Sequence, residues 1–97
     1  MNFRFQSSEL EGLYYEGKGI SKYPDFVARA FFKKIQIIKN AKHEGDIREI
    51  KGNHFEKLKG HENKFSLRLN KQYRLIFSIE ELSKRTIVIE EISNHYE

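Results

Sequence analysis

The stretch from Lys64 to Glu80, KFSLRLNKQYRLIFSIE, decides how the rest of the chain is interpreted. Apolar and polar residues alternate on both sides of a short polar segment, Asn70-Lys71-Gln72. Alternation of this length is typical of β-strands that bury one face. The stretch therefore predicts an antiparallel hairpin with a tight turn at those three residues.

The turn fixes which residues of the two strands lie opposite each other. The predicted partners on one face are all apolar or aromatic: Leu69 with Tyr73, Leu67 with Leu75, and Phe65 with Phe77. Such a register places the hydrophobic side chains together on the buried side of the sheet. On the other face it places Arg68 directly opposite Arg74.

Two arginines opposite each other on a sheet repel, so their presence calls for a physical reason. A phosphate group supplies one, because it accepts paired hydrogen bonds from guanidinium groups and cancels the repulsion. The alternative is that both arginines are solvated, or that acids of a neighbouring strand pair with them. Glu90 and Glu91 are the candidate acids.

The composition limits the possible classes of protein. A chain of 97 residues predicts a single domain spanning residues 1–97. It has no cysteine, no apolar run of membrane-spanning length and no signal-peptide pattern, so we expect a cytoplasmic protein without a membrane partner. The four histidines lack ligand-like spacing and no glycine-rich phosphate loop is present. We therefore expect no metal site and no cofactor.

Positive charge is concentrated in one part of the chain. The net charge is +4, but the segment from Lys51 to Arg74 contains seven lysines and arginines and only two acids. Aromatic residues are interspersed among these charges. A basic segment of this kind on a small soluble domain indicates a nucleic-acid partner before a membrane.

The first half of the chain predicts a strand and two helices. Asn2 to Gln6 alternates and predicts a short strand. A helix to about Glu16 follows, with Ser7 or Ser8 as its N-cap and a capping box from Ser8 to Glu11. A longer helix runs from about Asp25 to Ala41, and its apolar residues recur every three or four positions: Phe26, Val27, Ala30, Phe31, Ile35 and Ile38.

The second half is richer in strands. A weak helical or extended element is predicted around residues 46–50, followed by the hairpin, a turn near residues 82–84 and a last strand from Arg85 to Ile92. The order predicts an α+β fold in which a two-helix hairpin packs on a curved antiparallel sheet of three to four strands, preceded by an N-terminal strand. Arg68 and Arg74 would lie on the sheet face without helices.

Three motifs resemble those of one family. FEKLKG at 55–60, FSLRLNKQYRLIF at 65–77 and EEISNHY at 90–96 resemble the HigB-type toxins of bacterial toxin–antitoxin systems, which belong to the RelE/ParE superfamily. The resemblance implies a RelE-like fold and a ribosome-dependent mRNA endoribonuclease that arrests translation. It also implies a HigA-like helix-turn-helix antitoxin as partner, with operator DNA bound only through the toxin–antitoxin complex.

The resemblance also implies a mechanism without a metal, in which the 2′-OH of the RNA attacks the adjacent phosphate. Arg74 matches the strand arginine of the family motif, and Lys57 and Lys59 match its basic loop. The predicted catalytic residues are Arg68, Arg74, His95 and Tyr96, and the predicted RNA-binding residues are His54, Lys57, Lys59, Lys64 and Lys71.

The tail departs from the family pattern. Many HigB-type toxins end in Asp-Tyr-His, whereas this chain has Asn94-His95-Tyr96. The exchanged order would exchange the faces of the two side chains on a strand. The group that moves protons therefore stays open among His95, Tyr96 and His54.

Two further functions are compatible with the same fold. One is a ParE-like toxin that inhibits DNA gyrase by binding and cuts no RNA. The other is an inactive module that only holds an antitoxin. The basic face with Arg68 and Arg74 favours the nuclease, because a toxin that acts by binding protein does not need it.

Overall fold

The computed structural model describes residues 1–81 and 84–94. Its strands are β1 (Asn2–Phe5), β2 (Glu56–Lys57), β3 (Lys64–Arg68), β4 (Tyr73–Glu81) and β5 (Arg85–Asn94). Its helices are α1 (Ser8–Glu16), α2 (Asp25–Asn40) and α3 (Glu44–Arg48), with short 3₁₀ turns at Ile20–Lys22 and Lys51–Asn53. This order confirms the predicted α+β class. No helix in the described ranges is long and apolar enough to cross a membrane.

The described strands form one sheet in the order β1-β5-β4-β3-β2. Strands β2 to β5 pair antiparallel, whereas β1 pairs parallel to β5, a pairing that the sequence did not predict. The predicted hairpin register is confirmed, with Leu67 opposite Leu75 and Phe65 opposite Phe77. The side-chain oxygen of Asn70 closes the turn by accepting hydrogen bonds from two backbone N–H groups further along it.

Two details of the helices differ from the prediction. The N-cap of α1 is Ser7, whose hydroxyl accepts a hydrogen bond from the backbone N–H of Leu10 at 3.2 Å. The predicted capping box therefore starts one residue too late. On α2, Phe26 is 52% exposed, because it lies about 100° around the helix from Val27, where the buried stripe begins. The buried residues of α2 are Val27, Ala28, Phe31, Ile35 and Ile38.

Two differences concern the end of the chain. Strand β5 continues two residues beyond the predicted end, to Asn94. It also carries a bulge: Phe77 lies opposite Ile89 and Ile76 opposite Glu91, so that Glu90 is an extra residue. Of the predicted turn at 82–84, residues 82 and 83 lie outside the described ranges.

The two faces of the sheet differ in what they contact. On the covered face, α1 and α2 pack on side chains of β3, β4 and β5 to form the core. The strand residues of this core are Leu67, Leu69, Leu75, Phe77, Ile79, Ile87 and Ile89. The opposite face, called the open face below, carries Lys64, Ser66 and Arg68 of β3 and Arg74, Ile76, Ser78 and Glu80 of β4.

Candidate functional site

Arg68 and Arg74 lie directly opposite each other on the open face, next to the hairpin turn. Their positions follow from the register, since Arg68 is the immediate neighbour of the buried Leu67 and Arg74 of the buried Leu75, and neighbouring side chains on a strand point to opposite faces. The sequence therefore predicted this part of the site. What the structure adds is the set of groups that hold each guanidinium.

Arg74 is held by three groups. Its Nε donates to the hydroxyl of Ser66 at 2.9 Å, and its Nη2 donates to the backbone oxygen of His54 at 2.8 Å. The same Nη2 lies 3.2 Å from a carboxylate oxygen of Glu56, and the side chain of Arg74 is only 18% exposed. Glu90 and Glu91 were the candidate acids predicted from the sequence, but the acid that reaches Arg74 is Glu56.

Arg68 has a different partner. Its Nη1 lies 3.2 Å from Nε2 of His54. A guanidinium group only donates hydrogen bonds, so the imidazole nitrogen that faces it acts as the acceptor. His54 thus contacts both arginines, Arg68 through its ring and Arg74 through its backbone oxygen.

His54 is placed by an unusual backbone conformation. Its φ and ψ are 45° and 56°, the left-handed region, and it is the one non-glycine residue with positive φ in the described part of the chain. That conformation costs a non-glycine residue roughly 1–2 kcal/mol. The residue after it, Phe55, packs on Phe65 and Phe77 with ring centroids 5.5 Å away in both cases. The chain crosses the edge of the sheet here, between the helical layer and the open face.

The other predicted RNA-binding residues are distributed around this group. Lys57 is exposed on β2, next to Glu56, and Lys59 is exposed in the loop that leads to β3. Lys71 is exposed in the hairpin turn. Lys64 differs from them, because its ammonium is 3.0 Å from the carboxylate of Glu90.

The structure brings together three of the predicted site residues, His54, Arg68 and Arg74, in direct contact. The catalytic predictions for His95 and Tyr96 fall outside the described residues. Sequence reasoning missed Glu56 and Ser66. Ser66 lies two residues before Arg68, so the alternation predicts that both are on the same face. Nothing in the local pattern indicated that Glu56 lies opposite Ser66 on a short edge strand.

This arrangement suits an anion. Arg68 and Arg74 lie opposite each other on one face, and the contact between Arg74 and Glu56 shows that a carboxylate oxygen can reach the guanidinium of Arg74. A phosphate oxygen has the same acceptor character and more charge. Within the described ranges, no three histidine, aspartate or glutamate side chains come close enough together to hold a metal ion.

The fold defines a class of protein. A YoeB/ParE toxin from Agrobacterium tumefaciens has a similar structure, with a TM-score of 0.61 over 99% of this chain and 100% of that one. The two sequences are only 15% identical, so this similarity concerns the fold alone. The architecture of this chain is therefore that of the YoeB/ParE toxin.

Sequence comparison gives the family. Residues 3–91 match the model of the HigB-like toxins, described as the RelE-like toxin of type II toxin–antitoxin system HigB. Toxin HigB-1 of Vibrio cholerae is 40% identical over 78 residues, which are 79% of this chain and 82% of that protein. An uncharacterised protein of Haemophilus influenzae is 36% identical over 77 residues, 78% of this chain and 76% of that one.

The chain belongs to the HigB-like family of type II toxins. The predicted family is thereby confirmed. Membership implies that a cognate antitoxin is a partner of this protein.

Proposed function

We propose that this toxin is a ribosome-dependent endoribonuclease that cuts mRNA and arrests translation. The observation that carries the proposal is the group of Arg68, Arg74 and His54 on the open face. Two cations on one face, with an imidazole in contact with Arg68, can stabilise the phosphorane and accept a proton in phosphodiester cleavage. Membership of a toxin family supports the proposal, because a toxin is expected to act on a component of the cell.

In the proposed reaction the 2′-oxygen of one nucleotide attacks the adjacent phosphorus. A bond forms between the 2′-oxygen and phosphorus, and the bond from phosphorus to the 5′-oxygen of the next nucleotide breaks. The products are a 2′,3′-cyclic phosphate and a free 5′-hydroxyl. The reaction passes through a dianionic phosphorane. The positive charges of Arg68 and Arg74 would stabilise its negative charge without a metal ion.

The substrate phosphate would replace two protein groups. It takes the place of the Glu56 carboxylate on Arg74 and of the His54 ring on Arg68. Nε2 of His54 is then free to accept the proton of the 2′-hydroxyl, since it is already the acceptor nitrogen. His95 and Tyr96 stay the predicted sources of the proton for the leaving 5′-oxygen.

The remaining contacts follow from exposure and charge. Lys57, Lys59 and Lys71 are exposed around the arginines and would bind neighbouring phosphates of the mRNA. The ribosome would present the mRNA to this surface. We propose a HigA-like helix-turn-helix protein as the antitoxin, with operator DNA bound only through its complex with the toxin.

The test is to map the 5′ ends of mRNA by primer extension in a cell-free translation reaction. With the purified toxin we expect new ends at defined positions, and only while translation proceeds. Arg74→Ala should lower the cleavage rate by about 100-fold or more, because it removes a cation that contacts the phosphorane. Arg29→Ala, which removes an exposed arginine on α2, is the matched control and should cut at the normal rate.

Two results would contradict the proposal. Intact mRNA from a toxin that still stops growth would indicate a protein target, of which DNA gyrase is the first to assay. Unchanged cleavage by a folded Arg74→Ala protein would remove Arg74 from the reaction.

A further inference from the structure

His54 has neighbours whose contacts the reaction itself does not use. The residue before it, Asn53, is completely buried, with 0% of its surface exposed. Its side-chain nitrogen donates to the backbone oxygen of Ile47 at 2.8 Å, and its side-chain oxygen accepts a hydrogen bond from the ammonium of Lys34. Asn53 thus connects α2 and the end of α3 to the segment that carries His54.

These contacts are of the kind that fix a backbone. A buried amide without partners is costly, so Asn53 adopts the position in which Lys34 and Ile47 satisfy it. One residue later, Phe55 is packed among Phe65 and Phe77. His54 therefore lies between a polar anchor and an apolar anchor, both directed into the protein.

The anchors on either side of His54, Asn53 before it and Phe55 after it, explain its left-handed backbone conformation. A non-glycine residue holds a positive φ when its surroundings fix the chain on both sides. In this conformation the oxygen of His54 reaches Arg74 and its ring reaches Arg68. If Asn53 were released, His54 would have no reason to keep an unfavourable φ.

We propose that Lys34 and Asn53 are positioning residues, which hold His54 in the left-handed conformation that places it between Arg68 and Arg74. The proposal rests on the proposed nuclease function for its catalytic consequence. Neither residue touches the area in which the phosphate would bind, so their effect passes through His54. The proposal thus extends the residues on which activity depends from the open face to Lys34 on α2.

The environment of Lys34 agrees with this role. Burial, together with the neighbouring positive charge of Lys33, lowers the pKa of Lys34 below its usual value of 10.5. A lysine that loses solvation in this way needs an acceptor for its hydrogen bond. In the described part of the chain, its side-chain acceptor is the oxygen of Asn53.

The experiment measures the position of His54 and the reaction separately. Long-range proton–nitrogen NMR spectra of the ¹⁵N-labelled toxin report which ring nitrogen of His54 carries the proton. Ribosome-dependent cleavage is measured over a range of toxin concentrations up to saturation, and the rate at saturation is followed across the pH range in which imidazole titrates. The variants are Lys34→Met and Asn53→Asp, and the matched control is Lys33→Met, an exposed lysine one residue earlier on α2.

In the wild type we expect one tautomer, with the proton on Nδ1 and Nε2 as acceptor. Lys34→Met and Asn53→Asp should give a mixture of tautomers, because His54 leaves Arg68. The cleavage rate at saturation should fall by about 10- to 100-fold, with little change in the toxin concentration that gives half-maximal rate. The limb of the pH profile that belongs to imidazole should flatten, and Lys34→Arg should restore the wild-type values.

The outcomes separate the two proposals. Unchanged His54 spectra in folded Lys34→Met and Asn53→Asp would overturn the positioning role, as would an altered tautomer with an unchanged cleavage rate. A wild-type protein that shows the single tautomer but cuts no mRNA would overturn the nuclease and leave the anchor supported. If Lys34→Met does not fold, Asn53→Asp decides the role of Asn53, because it preserves the size of the side chain and removes the donor to Ile47. Lys34→Ala, which removes the ammonium and favours the helix, then decides the role of Lys34.

Discussion

The covered and open faces of the sheet share the same strands but are held by different forces. On the covered face, Leu67, Leu75 and Phe77 are fully buried under α1 and α2. On the open face, residues one position along the same strands are charged and partly exposed, as Arg68 and Arg74 are. Alternation along each strand therefore separates the residues that fold the protein from those that would bind its target.

The open face is nevertheless organised. Lys64 of β3 pairs with Glu90 of β5 across β4, and Arg4 of β1 pairs with Glu80 of β4 across β5. The face also has buried residues outside the core cluster, namely Ser66, Ile76 and Val88. Ion pairs that bridge strands keep this face ordered without a second layer of helices.

The difference teaches where stability comes from. Burying a large apolar side chain contributes about 1.5–3 kcal/mol, whereas an exposed ion pair contributes about 0–1 kcal/mol. The open face can therefore carry repelling arginines at small cost to the fold, because the covered face determines the free energy of unfolding.

The largest effect is expected on the covered face. Phe77→Ala should lower the free energy of unfolding by about 3–5 kcal/mol, because the cavity lies at the contact of Phe55 and Phe65. Chemical denaturation followed by circular dichroism measures the change. Ser78→Ala, the next residue on the open face, is the control and should change stability by no more than about 0.5 kcal/mol. Similar losses for both variants would remove the distinction between the faces.

The hairpin could be predicted from the sequence because its determinants are local. Alternation with a period of two assigns each side chain to a face, and the polar turn fixes the register. Hence the pairs Phe65–Phe77 and Arg68–Arg74 were predicted and are confirmed. The buried stripe of α2 was predicted in part: Val27, Phe31, Ile35 and Ile38 are buried as expected, whereas Phe26 is exposed, Ala30 is only partly buried, and the buried Ala28 was missed.

The rest depends on contacts between distant parts of the chain. The parallel pairing of β1 with β5 joins residues more than 80 positions apart, and local periodicity contains no information about it. The bulge that directs Glu90 towards Lys64 likewise arises from the pairing of two strands. Such features emerge from packing and not from propensity.

The site, like the fold, could be predicted only where its determinants are local. The two arginines followed from the hairpin register, whereas the place of His54 depends on a loop whose path is set by Asn53 and Phe55. Asn53 follows Gly52 in a polar segment, and no local pattern of the sequence marks it as buried. Its burial, and its bond to Lys34 nearly twenty positions earlier, are visible only in three dimensions.

A smaller, pH-dependent effect is expected where α3 joins the sheet. Burial on its own would raise the pKa of Glu44, but hydrogen bonds from Arg48 and Arg85 outweigh it and hold the pKa below the usual 4.5. The contribution of Glu44 is therefore complete above its unfolded pKa and is lost as the pH falls through the lower folded pKa. Glu44→Gln should destabilise the protein at neutral pH and have no effect in strong acid.

Thermal unfolding of the wild type and Glu44→Gln across this acid range measures the effect. The difference in Tm between the two proteins should shrink to zero as the pH falls. A difference that stays constant with pH would show that the charge of Glu44 is unimportant and that only its shape matters. The control is Glu11→Gln on α1, an exposed acid for which we expect a small difference in Tm.

The smallest effect is expected for the ion pair of the open face. Lys64→Met removes an ammonium 3.0 Å from Glu90, whose side chain is 14% exposed. The methionine keeps most of the aliphatic stem, so the loss should be confined to the charge and amount to about 0.2–1 kcal/mol. It should decrease at high salt, because screening weakens the pair in the wild type.

Denaturation of Lys64→Met at low and high salt, beside Lys71→Met from the exposed turn, tests this expectation. Lys71→Met should leave stability unchanged at both salt concentrations, since the structure gives it no acid partner among the described residues. A loss of more than about 2 kcal/mol for Lys64→Met would show that the mostly buried carboxylate of Glu90 is costly to leave without its partner. The open face would then contribute to folding as the covered face does, and its charges would not be free to serve binding alone.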